Sequence, residues 1–235
     1  MNIPNLKNPH WGAVVYMKKT WWKILCVVIL LYTIIQGLGG IVPRQPILNE
    51  TIRNVYFHVP LWFGMMTLMT ASVWFAIKYL RNGNIQDDEY SVEFANVAIF
   101  FGILGFMTGS LWGQYTWGDW LPKDPKIIAV EVGLLIYSSY FILRSSFEDE
   151  QRKARLSAIY NIFAFATFIP LVWILPRLTD SLHPGNGGNP AFGKYDMDNS
   201  MRMVFYPAII GWTLLGVWIT SLRIRLRVIE RLGSN

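Results

Sequence analysis

Phe94-Ala-Asn-Val-Ala-Ile-Phe-Phe-Gly-Ile-Leu-Gly-Phe-Met-Thr-Gly-Ser-Leu-Trp112 is an uncharged, mostly apolar run. It opens directly onto Gly113-Gln-Tyr-Thr-Trp117-Gly-Asp-Trp120-Leu-Pro-Lys-Asp124-Pro-Lys126. As a helix, at about 1.5 Å per residue, the first part is long enough to cross roughly 30 Å of hydrocarbon. A second apolar run starts at Ile127. From the last residue of the first run, Trp112, three tryptophans fall within nine residues, where a connection ordinarily carries turn formers and charges. Indoles do collect at membrane interfaces as an aromatic belt. A belt needs one or two per helix end, however, not a Trp-Gly cluster closed by an aspartate. A flat aromatic surface at a membrane edge suits a flat, apolar, aromatic ligand.

The rest of the chain repeats the membrane signal. Its 235 residues are 53% hydrophobic and 15% charged, against about 25% charged in soluble domains. The apolar residues are blocked into runs at 24–42, 55–77, 94–112, 127–143, 156–175 and 203–222. Lipid cannot satisfy an open strand edge, so these runs predict helices. The expected fold is an all-α, six-span membrane protein, one domain over 1–235, with a Trp-rich outer loop at 112–126. Lys18, Lys19 and Lys23 precede the first span without a small-residue cleavage site after it, which predicts a retained anchor. Cys26 is the only cysteine, which excludes an internal disulfide framework and covalent haem attachment through Cys-x-x-Cys-His.

Of the 21 lysines and arginines, 14 fall in the N-terminal and every second non-membrane segment, and 7 in the others. The positive-inside rule then puts both termini in the cytoplasm. The net charge of +6 is explained by the leaflet and calls for no nucleic-acid partner. The acids Asp87, Asp88 and Glu89 are expected in an inner connection.

The outer segments carry the unusual chemistry. One ends in Arg53-Asn-Val-Tyr-Phe-His58-Val-Pro60, one is the Trp cluster, and one contains Arg177, Asp180, His183 and a Gly/Asn-rich stretch over 185–190. Two of the three histidines thus flank the Trp motif, while His10 is in the inner tail. A histidine at a helix end is usually interfacial, but two imidazoles around an aromatic platform are the residues that hold a haem iron from both sides. Zinc is less well served, since no third ligand stands at suitable spacing. Arg53, Arg177 and Lys126 are candidates to pair carboxylates, with interface anchoring as the plainer role. Glu131 lies one turn into the fourth span, where a carboxylate is either functional or shallow enough to hydrate. Pro170 and Pro207 are expected to kink their helices. Met65, Met66 and Met69 are expected to pack. No nucleophile–base pair, phosphate loop or carboxylate dyad is present, which argues against an enzyme. A b-type electron-transfer cytochrome and a cofactor-free permease remain as other classes.

The pattern Trp-Gly-x-x-x-Trp-Gly-x-Trp-x-x-x-Asp between two span-end histidines resembles the Trp-rich haem-handling family of cytochrome c biogenesis. The six-span size and His58-Val-Pro60 are most similar to its short, CcmC-type haem-transfer branch. The resemblance implies non-covalent, transferable haem b on axial ligands His58 and His183, over a platform of Trp112, Gly113, Trp117, Gly118, Trp120 and Asp124. It also implies a bacterial inner-membrane location with the haem site on the periplasmic side. The implied partners are a periplasmic haem chaperone, the ATPase and permease subunits of an ABC transporter, and a small membrane subunit. Lys123 and Leu121 stand where the family favours aromatics, Asp124-Pro-Lys126 is similar to the longer CcsA-type branch, and the third outer loop is long.

Overall fold

The computed structural model describes residues 20–44, 47–183 and 197–233. The N-terminal tail with His10 and the 185–190 stretch lie outside these residues. Every regular element among the described residues is helical: α1 (Trp21–Gly39), α2 (Val55–Asn82), α3 (Ile85–Trp117), α4 (Pro125–Ser145), α5 (Glu150–Ile169) and α6 (Asn199–Gly233). A 3-10 turn, Asn49–Asn54, leads into α2. With their extensions, these six helices are long and apolar enough to cross a membrane.

α1 matches its predicted span in length but starts three residues earlier, whereas α2, α3, α4 and α6 run beyond theirs. The third extends from Ile85 to Trp117, so positions 112–117 of the expected Trp-rich loop are helical. The loop reduces to 118–124. Its two ends are motif residues acting as helix punctuation. Gly118 sits at φ 79° and its N–H bonds Gln114 O, closing α3. Asp124 accepts from Lys126 N, with Pro125 in the first turn, opening α4.

At the other end, Asp87 and Asp88 lie in the first turn of α3, with Glu89 just beyond, rather than in a connection. They are drawn into the bundle by partners. Arg144 of α4 grips Asp88 with both nitrogens, Lys78 and Asn82 bond Asp87, and Arg231 pairs with Glu89. Deeper in α3, Glu93 takes Arg223 and Arg227 of α6. Paired this way, buried carboxylates are tolerable, and losing one partner would be strongly destabilising. Midway along the bundle, Asn161 of α5 donates to Ser72 and Ser91, and Ser72 donates to Ser91 O. That polar knot ties three helices where lipid offers no hydrogen bonds.

Packing of α2 on α3 depends on bare backbone. A Cβ at Gly102 would come within 2.8 Å of Met65 Sδ, one at Gly105 within 2.9 Å of Trp62, and one at Gly109 within 2.6 Å of His58 Cε1. Met65 and Met69 are fully buried in this seam. α5 ends against Pro170, and the chain continues helically as a π turn, Pro170–Ile174, and a 3-10 turn, Leu175–Arg177. A proline removes one helical bond, which gives the wider turn a cause. α6 runs through Pro207 without interruption.

Candidate functional site

At the end of the bundle that carries the 118–124 turn, α2, α3, α4 and the end of α5 enclose a cavity of about 610 Å³. That falls within the ~300–1,000 Å³ of small-molecule and cofactor sites. His58 and His183 line it together with Trp112, Trp117, Lys126 and Arg177. Residues 125 positions apart in the chain thus face one space.

His58 is placed by the first turns of α2. Its Nδ1 lies 3.2 Å from Thr108 Oγ1. Thr108 directs its own hydroxyl proton to Leu104 O and Gly105 O, so its oxygen accepts a hydrogen bond from Nδ1–H. Nε2 then carries the lone pair, and Trp62 Nε1 donates to it at 3.3 Å. Trp112 meets the imidazole edge-on at 5.8 Å between centroids. Its own indole N–H is held by Thr51 Oγ1.

His183 is placed by Asp124. The carboxylate is 1% exposed. One oxygen accepts from Lys126 N and from His183 Nδ1 at 3.1 Å. The other accepts from Ser181 Oγ and Leu182 N. Burial alone would raise the Asp124 carboxyl. The hydrogen bonds from His183, Leu182 and Ser181 outweigh it and hold the group below the usual carboxylate range. Burial pushes the His183 imidazole below the usual histidine value, against the opposing pull of Asp124. An anionic Asp124 beside a neutral imidazole fixes the proton on Nδ1 and leaves the Nε2 lone pair available. Trp117 faces this ring at 5.2 Å. Each histidine therefore has one motif tryptophan against it.

The other expected site residues divide. Gly113 lines the cavity, with Asp119 O close above its α-carbon. Lys126 and Arg177 line it, and neither makes an ion pair among the described residues. Arg53 does not line it. Its guanidinium bonds Glu50 and the carbonyls of Gly37 and Gly40, clamping the 3-10 turn to the end of α1. Gly118 and Trp120 are in the turn outside the cavity, and Trp120 is 55% exposed.

Several lining residues escaped sequence reading. Trp62 lies one helical turn after His58, a signal that was available. Met66, expected to pack, also lines the cavity two turns below His58 on α2, and Trp173 and Met201 line it from elements that only folding brings there. Thr116 Oγ1 and Trp173 Nε1 are buried there with no hydrogen-bond partner among the described residues. Aromatic walls, two imidazole lone pairs, two cationic groups and two unsatisfied polar atoms fit a flat apolar macrocycle with a metal centre and anionic edges.

The chain is similar to known proteins over most of its length. The family model CcmC, heme exporter protein C, matches residues 3–234. The chain is 24% identical to heme exporter protein C of Escherichia coli (strain K12) over 209 residues, covering 87% of this chain and 81% of that protein. It is 23% identical to the Haemophilus influenzae protein of that name over 217 residues, 89% and 84% of the two chains. The Bradyrhizobium diazoefficiens protein matches at 24% over 243 residues, 98% and 87% of the two chains.

Proposed function

This chain belongs to the CcmC family of heme exporter protein C, and from that premise we propose that it holds haem b non-covalently between His58 and His183 and passes it to a periplasmic haem chaperone. Family membership makes it a haem-handling membrane subunit serving cytochrome c maturation, not an enzyme, and part of an ABC-type assembly. The chaperone, the ATPase and permease subunits and a small membrane subunit are the partners this reading implies. Both termini face the cytoplasm and the cavity faces the periplasm, on the charge bias of the connections.

The observation that carries the reading is the pairing of His58 and His183 across one cavity. Both rings have Nδ1 engaged by an acceptor and Nε2 left with its lone pair. Lys126 and Arg177 are the residues that would meet the haem carboxylates. Trp112 and Trp117 supply apolar wall, with roughly 0.5–1.5 kcal/mol per aromatic pair beyond burial. The position at the ends of α2 and α5, not mid-bundle, supports a cargo that leaves over a tightly kept electron-transfer group.

The test is haem content and Soret absorption of the purified protein. Replacing His58 or His183 by Ala should weaken retention, and replacing both should abolish it. Normal haem content with an unchanged Soret band in the double variant would refute the assignment.

A further inference from the structure

The two histidines are not equivalent. His183 Nδ1 is held by a buried carboxylate, and its Nε2 has no hydrogen-bond partner among the described residues. His58 Nδ1 is held by a neutral hydroxyl, and its Nε2 already accepts from Trp62 Nε1. An indole N–H is a donor only, so Trp62 and a metal compete for one lone pair. The competition is built into the fold. Trp62 and His58 are one turn apart on α2, and both rings lie against the strip of α3 where Gly105 and Gly109 have no side chains. The indole needs no rearrangement of the backbone to reach Nε2.

We propose that Trp62 is a release element: it captures His58 Nε2 when the iron–His58 bond opens, so that His58 is the ligand that lets go and His183 the one that retains. The inference rests on the ligand pair proposed above. In the exchange the coordinate bond from Nε2 to iron breaks and the electron pair stays on nitrogen. That pair then accepts the Trp62 N–H. No proton is transferred and the iron keeps its oxidation state. A carboxylate-backed imidazole is the more basic ligand, so the asymmetry sets the order in which the two bonds open.

The experiment follows haem loss from the full-length protein in detergent to excess apomyoglobin. Trp62→Phe keeps the aromatic body and removes the N–H. It should slow haem loss by about two- to tenfold, the worth of one ordinary hydrogen bond. The slowing should vanish in a His58→Ala background and persist in His183→Ala, since only His58 meets the indole. Trp62→Leu lacks the same N–H and carries the same expectation if the Phe variant is unstable. Equal Trp62 effects with and without His58, or no slowing, overturn the proposal while the ligand pair stands. A Soret band unchanged by His58→Ala removes the ligand pair itself, and the release role with it.

Discussion

Asp124→Asn is the substitution most sharply specified by the geometry. The carboxylate accepts four hydrogen bonds, from Lys126 N, Ser181 Oγ, Leu182 N and His183 Nδ1. An asparagine of the same shape keeps acceptor capacity on one side only and places an NH₂ on the other. If the NH₂ faces His183, the imidazole must move its proton to Nε2 and loses the lone pair proposed to bind metal. If it faces Ser181 and Leu182, the Leu182 N–H is left without its acceptor and the segment that carries His183 comes loose. Hydrogen bonds to a charged group contribute about 1.5–3 kcal/mol each. Loss of an orienting partner behind a ligating histidine typically lowers metal affinity by about 10- to 100-fold. Haem titration of the purified variant, read at the Soret band, should show a drop in that range. It should exceed the effect of Trp120→Ala, since Trp120 touches neither histidine. Binding within about twofold of the parent, with an unshifted Soret band, would refute the role given to Asp124.

Trp117→Ala should lower haem content, because the indole faces His183 at 5.2 Å; one aromatic contact corresponds to roughly two- to tenfold in affinity. Trp120→Ala should leave haem content near normal and reduce haem delivered to the chaperone per molecule, and an unchanged delivery ratio would reduce Trp120 to anchoring. Asp119→Cys, in the 118–124 turn, should react with an impermeant thiol reagent from outside intact cells, and Arg81→Cys only after the membrane is opened. The reverse labelling would invert the orientation.

Six spans were legible because the apolar residues are blocked into runs, but their ends were not. A charge normally marks a span end. In α3, Asp87, Asp88 and Glu93 carry the helix on past that mark because Lys78, Arg144, Arg223 and Arg227 meet them inside the bundle. Likewise 112–117 read as a loop from its Trp and Gly content, although the glycine that ends the helix is Gly118. The two histidines could be picked out by their rarity and their place around the motif. Asp124 stands out as a motif residue, but its bond to His183, 59 residues on, and that of Thr108 to His58, 50 residues away, are set only by the fold. Arg53 misled for a physical reason: a helix C-terminus presents free carbonyls and partial negative charge, and a nearby guanidinium is drawn there.

Asp124 has a double attachment whose consequence reaches past the cavity. It is the N-cap of α4 and, with the same oxygen, the acceptor for His183. The positive end of the α4 dipole steadies its negative charge, so the shared proton stays with the imidazole and Nε2 stays free. A shift of α4 along its axis, or fraying of its first turn, would be felt at His183 as a change in ring orientation and proton position. His183, the proposed ligand, is thereby wired to the register of a whole transmembrane helix, and a protein pressing on α4 within the membrane would have a handle on the proposed cargo without touching it.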